Sequence, residues 1–272
     1  MNIIAHRGNF KPEGPIPTIN FFDIPENSLE SFKNALQNGF GIETDVRQTE
    51  DNEFVLLHDE NLLKFSKNNL EVSQLTLKEI KTQLNGKFSV SSLDDLASLA
   101  RKYTITNERP FIAFQIKPGS NFEAGFAVAS ILEAYKLTNC IIFDTTIDVA
   151  EKLRQQFPWL NLSVSLGEKN YSPTIYTPEE VFSDRFSTVY NCVWADEWKE
   201  ERSIYNQDMF KKIKNYYSRL DVISPELHIL ENHPLSKDVN KAQSLWKEII
   251  SWNVADGICT DYPSLLQSII HA

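Results

Sequence analysis

Positive charge is what this sequence is short of. It sets 27 Lys and Arg against 37 Asp and Glu, a formal net charge of −10, so it carries no electrostatic footprint for nucleic acid, although a local basic pocket can still hold one phosphate. A bulk polyanion is thereby excluded as a partner. Cysteine is scarce too: Cys140, Cys192 and Cys259 are odd in number, far apart and each inside an apolar, strand-like run. That argues against a disulfide framework or a zinc site and suits a reducing compartment. No run reaches the roughly 18 apolar residues of a spanning helix, so no stable membrane insertion is expected. The opening Asn2-Ile3-Ile4-Ala5 lacks the basic flank and the apolar stretch of about 7–15 residues of a secretory signal. The expected setting is therefore the cytoplasm. Internal repeats, low-complexity tracts and a Gly/Ser linker are also missing, which favours one domain over residues 1–272.

What is present is ordinary globular material. A chain of 272 residues, 42% hydrophobic and 24% charged, can bury a full core and fits one large α/β barrel or two smaller domains. Short β-rich runs near 2–6, 40–47, 54–58, 111–117, 140–145, 161–166, 188–194, 221–226 and 256–260 alternate with helical patterns. This is the signature of a parallel sheet with crossover helices, and the expected fold is a (β/α)8 TIM barrel. Nine runs compete for eight places. The turn-forming Thr49-Glu50-Asp51-Asn52 joins the runs at 40–47 and 54–58, so one of these two is expected beside the barrel. Helix starts are expected at Asn27 with Glu30, Thr76 with Glu79, and Thr177 with Pro178 and Glu180. In the first helix Leu29, Phe32 and Leu36 recur at helical spacing before Gly39 as a left-handed stop. The irregular stretches 8–25, 167–177, 195–203 and 229–238 are candidates to roof a pocket.

In a barrel of this kind all strand carboxyl ends point to one face, and polar residues gather there. His6 and Arg7 end the first run. Glu43 and Asp45, two apart on the second, face the same way and can aim at one cation. His58 and Asp59 close the next run, and Gln115 and Lys117 repeat the two-residue spacing. Two imidazoles, two carboxylates and two cations suit phosphodiester cleavage. A divalent ion on oxygen ligands can neutralise phosphate oxygens, Arg7 and Lys117 can share that charge, and two histidines with an unperturbed pKa of about 6.5 can move protons on opposite sides of phosphorus. Past another strand end, Trp194, Asp196, Glu197 and Trp198 are positioned to stack on and hydrogen-bond a sugar or polyol. Glu226 and His228 read equally as pocket residues or as a solvated loop; His233 and His271 read as surface, and the cysteines as small core hydrophobes.

The stretches His6-Arg7-Gly8, Pro25-Glu26-Asn27-Ser28, Glu43-Thr44-Asp45-Val46, His58-Asp59 and Asp256-Gly257-Ile258-Cys259-Thr260-Asp261-Tyr262-Pro263 resemble, in order and spacing, the glycerophosphodiester phosphodiesterase family. The resemblance implies a barrel with Mg2+ or Ca2+ on Glu43 and Asp45, and His6 and His58 as general acid and base. It also implies that Arg7 and Lys117 contact phosphate, with Glu26 orienting Arg7 or the metal's water shell. The expected partner is a small-molecule phosphodiester.

Two departures stand out. Where the family usually has a third acidic metal ligand in an E-I-K strand, this chain has Gln115-Ile116-Lys117; the amide oxygen can still ligate, and weaker metal binding or a preference for calcium is expected. The spacer between His6-Arg7-Gly8 and Pro25-Glu26-Asn27 is longer than in simpler members, and Val222-Ile223-Ser224-Pro225-Glu226-Leu227-His228 sits where many relatives carry a Trp-Thr-Val-Asn-like strand end. The group beyond the phosphate is thus expected to be read differently. Hydrolysis to a phosphomonoester and an alcohol is the leading expectation. Cleavage by a substrate hydroxyl to a cyclic phosphate and a barrel that binds without turnover are the alternatives. A glycosidase fits less well, because Glu43 and Asp45 share one strand rather than flanking a sugar from separate elements.

Overall fold

The structure is a computed structural model that describes residues 1–8, 24–66, 69–84, 90–104, 110–119, 121–199, 202–228 and 231–272. Ten strands run in chain order: β1 (Asn2–Ala5), β2 (Gly41–Gln48), β3 (Phe54–Leu56), β4 (Ile112–Ile116), β5 (Cys140–Phe143), β6 (Ser163–Leu166), β7 (Ile175–Tyr176), β8 (Cys192–Ala195), β9 (Arg219–Ile223) and β10 (Gly257–Thr260). Their lateral order is β5-β4-β2-β1-β10-β9-β8-β6-β7, with β3 antiparallel on β2. A parallel bridge from Ile142 to Leu162, with Ile142 N donating to Asn161 O at 3.0 Å, joins β5 to the approach of β6 and closes the ring. With β3 and β7 set aside, eight parallel strands form the TIM barrel that the alternating pattern predicts.

The excursion is β3. It pairs Val46 with Leu56 and packs with the helix Leu77–Leu84 in a satellite core of Val55, Leu57, Leu62, Val72, Ile80 and Leu84. Two strands depart most from the expected bounds. Residues 188–189 end a short helix and the strand starts at Cys192, while β9 runs from Arg219 to Ile223 before Pro225–Leu227 turns as a 3-10 helix. The two-residue β7 lies inside the stretch expected to be irregular, and two residues are too few to show a period.

The capping pairs at Thr76/Glu79 and Thr177/Glu180 form as expected: Glu79 accepts from Thr76 N at 2.8 Å, and Glu180 from Thr177 N at 2.8 Å. The first helix differs. Its cap is Ser28, which accepts from Ser31 N at 3.1 Å, and Leu29 is 37% exposed, while Phe32 and Leu36 face the core. Asn27 is diverted, with φ 55, to the candidate site. Gly39, at φ +76, ends that helix in the left-handed conformation as expected.

Two apolar layers result. A large one lies between strands and helices, where amphipathic helices such as Leu93–Thr104 bury one face. A small one of Ile4, Phe111, Ala113, Ile141, Phe143, Cys192, Trp194 and Cys259 fills the barrel itself. Alternation along each strand sends one residue inward and the next outward. Above the inner layer the inward positions turn polar. All three cysteines are buried and free. No helix among the described residues is long and apolar enough to cross a membrane.

Candidate active site

At the carboxyl end of β1 the chain tightens into His6-Arg7-Gly8. Arg7 and Gly8 have positive φ, 55 and 71. A Cβ on Gly8 would meet Phe32 at 2.6 Å and Ser31 Oγ at 2.8 Å, so this turn needs glycine both for its backbone and for the approach of the first helix. The turn aims Arg7 N–H at Glu43 Oε2, 3.1 Å away. His6 Nδ1 lies 2.9 Å from Asp261 Oδ1, one residue past β10, and its Nε2 lies 4.0 Å from Glu43 Oε2.

Glu43 and Asp45 are both buried, at 3% and 1% exposure, so their ionisation depends on what surrounds them. Asp45 Oδ1 is 2.8 Å from Lys117 Nζ, and its Oδ2 is 3.4 Å from Arg7 Nε and accepts from Asn27 Nδ2 at 2.8 Å. Burial opposes ionisation, yet Lys117 and Arg7 outweigh it and hold the Asp45 carboxyl well below the usual carboxylate range. Glu43 goes the other way: burial and the neighbouring Asp45 charge push it up to about 8, despite Arg7 and Lys117. Asn27, which the sequence suggested as a helix cap, instead clamps the acidic strand, accepting from Thr44 Oγ1 at 2.8 Å while donating to Asp45.

Past β3, His58 Nδ1 meets Asp59 Oδ1 at 2.8 Å, and the His58 carbonyl accepts from Arg47 Nε at 3.0 Å and Nη2 at 2.7 Å, which fixes this strand end. Burial lowers the pKa of both His6 and His58, against the raising effect of their carboxylate partners. Glu26 Oε1 takes an ion pair from Arg7 Nη1 at 3.2 Å and another from Lys64 Nζ at 2.7 Å, so it orients Arg7 directly.

Gln115 sits beside Asp45 in the strand register, but its Nε2 donates to Asp144 Oδ2 at 2.5 Å on the β5 side. Trp194 is 1% exposed, with its ring 4.5 Å from Phe143 inside the barrel, and so offers no open face for stacking. The aromatic beyond that strand end is Trp198, whose ring lies 5.1 Å from Tyr171 and 4.9 Å from His228. Glu197 is a loop anchor, fully buried and accepting from Ile204 N at 2.8 Å and Tyr205 N at 3.0 Å. His233, expected at the surface, is buried 3.3 Å from Glu197.

Glu226 and His228 are not a solvated loop. Glu226 accepts from the hydroxyls of Ser224 and Thr260, and burial pushes it up to about 6. His228 Nε2 lies 2.5 Å from Asp196 Oδ1; burial opposes its charge, and Asp196 outweighs that to raise its pKa. Sequence reasoning assigned no site role to Asp144, Asn27 or Asp261 and left His228 open. The available signal was common to most of them: a polar residue within a few positions of a barrel strand's carboxyl end.

Chemically the cluster combines two tautomer-fixed imidazoles, two fixed cations and one buried acid left largely uncharged. Whether it fits a divalent ion turns on donors. Glu43 and Asp45 offer hard oxygens from one face of the strand, and burial together with the Asp45 charge raises Glu43. Among the described residues no three His, Cys, Asp or Glu side chains are grouped to hold a metal. The hard oxygens here are those of Glu43 and Asp45, with the Gln115 side chain beside Asp45 in the strand register.

Residues 6–224 match the model of the glycerophosphoryl diester phosphodiesterase family. The chain belongs to that family. Among curated members it is 38% identical over 80 residues to a glycerophosphodiester phosphodiesterase of Caldanaerobacter subterraneus subsp. tengcongensis, a stretch covering 29% of this chain and 28% of the relative. It is 36% identical over 95 residues to a probable glycerophosphodiester phosphodiesterase 2 of Mycobacterium tuberculosis, covering 34% and 32%. These matches thus span about a third of the curated relatives or less. The fold is shared over the whole length. A glycerophosphodiester phosphodiesterase from Thermotoga maritima superposes with TM-score 0.68 at 21% identity, covering 99% of this chain and 98% of the other. An Oleispira antarctica phosphodiesterase in complex with the product sn-glycerol-3-phosphate superposes with TM-score 0.69 at 16% identity, covering 100% and 97%.

Proposed function

We propose that the chain hydrolyses a glycerophosphodiester to a phosphomonoester and an alcohol, with His6 and His58 as the proton-transfer pair. The observation that carries this reading is the pairing of each imidazole, through Nδ1, with a carboxylate, at 2.9 Å for Asp261 and 2.8 Å for Asp59, around one charged cluster. A proton held at Nδ1 directs Nε2 of each ring at the reaction; burial lowers both pKa values, which favours the neutral form that the base needs, while the carboxylate partners act in the raising direction that the acid needs. Water oxygen attacks phosphorus and the bond from phosphorus to the leaving alcohol oxygen breaks; one histidine, neutral, takes the water proton on Nε2, and the other, entering the step as an imidazolium held beside its carboxylate, gives its Nε2 proton to the alcohol oxygen. Arg7 and Lys117, positioned by Glu26 and Asp45, face the phosphate oxygens.

Glu43 and Asp45, with Gln115, would hold Mg2+ or Ca2+, which when bound supplies positive charge beside the phosphate. The family membership and the glycerol-3-phosphate bound by the Oleispira neighbour support the choice of substrate class. A cytoplasmic setting and a single catalytic domain over the whole chain belong to the same proposal, supported by the three free, buried cysteines and by barrel strands drawn from both ends of the sequence.

Phosphorus NMR of a glycerophosphodiester treated with the protein plus magnesium, calcium or manganese tests the reading. A phosphomonoester signal, lost in His6→Ala and His58→Ala, is expected. A persistent cyclic diester would replace hydrolysis with attack by a substrate hydroxyl, and no turnover with any of the three ions would leave only binding.

A further inference from the structure

Just past β5 a carboxylate stands against the amide of Gln115. Asp144 has φ 58, a left-handed conformation that a short polar side chain tolerates better than most. Its Oδ1 accepts from the Ser165 hydroxyl and its Oδ2 from Gln115 Nε2 at 2.5 Å. Burial raises the Asp144 pKa, opposed by these two hydrogen bonds and by Lys117; with Ser165 Oγ and Gln115 Nε2 donating to it as to an ionised carboxylate, which only accepts, the amide nitrogen is the atom turned to β5 and Oε1 is turned away from Asp144. Across β4 the register partner of Gln115 is Asp45. Among the described residues Gln115 Oε1 accepts no hydrogen bond, which leaves it as the side chain's available donor to a cation.

We propose that Asp144 is a positioning residue for the divalent cation: it locks the Gln115 amide so that Oε1 is presented with Glu43 and Asp45, and it supplies from β5 the negative charge that position 115 lacks. The inference rests on the cation being held by Glu43 and Asp45. An unpinned glutamine presents its NH2 end as readily as its oxygen, and an NH2 group beside a cation repels it. Pinning removes that alternative, as a carboxylate behind a metal-bound histidine fixes its tautomer. One strand away from the ligand, the carboxylate also lowers the potential at the site without competing for a coordination position.

The test is a double-mutant cycle read by titration calorimetry with Mg2+, Ca2+ and Mn2+, which measures binding rather than turnover. Asp144→Asn, whose amide no longer dictates the orientation of Gln115, is expected to weaken cation binding by about tenfold or more, the scale on which such supporting partners act. Gln115→Glu alone sets two carboxylates against each other and is expected not to tighten binding. In the double variant the new amide donates to the new carboxylate, the reverse of the native polarity, and binding at least as tight as in the wild type is expected.

Asp144→Asn within twofold of wild type, or Gln115→Glu alone binding more tightly than wild type, overturns the inference. Should Asp144→Asn fail to fold, Gln115→Glu decides the matter by itself. A wild-type titration flat for all three ions removes the cation reading and this inference with it, a result distinct from binding that ignores Asp144.

Discussion

His6 Nδ1 and Asp261 Oδ1 meet at 2.9 Å across the seam where β1 pairs with β10, with Ala5 opposite Thr260. The two residues are 255 positions apart, yet each is the first residue beyond its strand, so closing the barrel brings them together. The carboxylate fixes the imidazole proton on Nδ1. Replacing it with an amide is therefore more damaging than its size suggests. In Asp261→Asn the amide NH2 can donate to Nδ1, which moves the imidazole proton to Nε2 and removes the lone pair from the site. We expect kcat on a glycerophosphodiester to fall by roughly 10²–10⁴, the range for loss of a positioned acid or base, with the thermal unfolding midpoint nearly unchanged. An Asp261→Asn enzyme of wild-type kcat would show that Asp261 does not set the tautomer.

Glu43 and Asp45 should respond in opposite ways to neutralisation. Asp45 is ionised between Lys117 and Arg7, so Asp45→Asn leaves two cations at a buried site without their partner, at a cost of about 3–5 kcal/mol. Glu43, pushed up to about 8, already carries a proton at neutral pH in the cation-free chain. Glu43→Gln is then expected to leave cation-free stability unchanged or slightly improved. Urea unfolding of the two variants without added metal separates them, and equal losses would contradict the assignment of charge.

The same acid predicts a pH dependence with a definite sign. Its folded value of about 8 lies above the ordinary 4.5, so between these limits the folded, cation-free chain holds a proton that the unfolded chain has released. The associated stability is full below pH 4.5 and is lost as pH rises through about 8. A cation requires the ionised form. Binding near pH 7 should release close to one proton and tighten as pH rises toward 8, then level off. Calorimetry in two buffers of different ionisation enthalpy reads the proton directly, and identical heats in both would argue against it.

The parts of this site readable in the sequence are those set by local period. Glu43 and Asp45 share a face because strand residues two apart always do, Lys117 follows Gln115 by the same rule, and His6 and His58 stand at strand ends. What the sequence hid depends on closure or on competition. Asp261 becomes a partner of His6 only through the seam between β1 and β10. Asn27 has the side chain of a good helix cap, but next to it Ser28 caps equally well and frees Asn27 for Asp45. His233 looks like a surface residue because its buried acceptor, Glu197, lies 36 positions away. Trp194 and Trp198 differ by four positions and look alike in the sequence. Only the end of β8 at Ala195 separates the inward ring from the one at the rim.

At that rim, Trp198 lies between Tyr171, which follows β6, and His228, which follows β9, with ring centroids 5.1 Å and 4.9 Å away. Its Nε1 is buried without a hydrogen-bond partner among the described residues, so the ring rather than the indole N–H is what a bound alcohol group would meet. An aromatic contact of about 0.5–1.5 kcal/mol corresponds to a change of about twofold to tenfold in binding. Trp198→Ala should therefore raise KM for a glycerophosphodiester by that factor while kcat changes little, because the ring stands away from the imidazoles that move protons. A chromogenic diester without the glycerol should be nearly indifferent to the change. If both substrates lose kcat together, Trp198 acts by holding the rim of the barrel rather than by reading the alcohol. Trp194→Phe, a change within the inner apolar layer, should then affect stability before it affects KM.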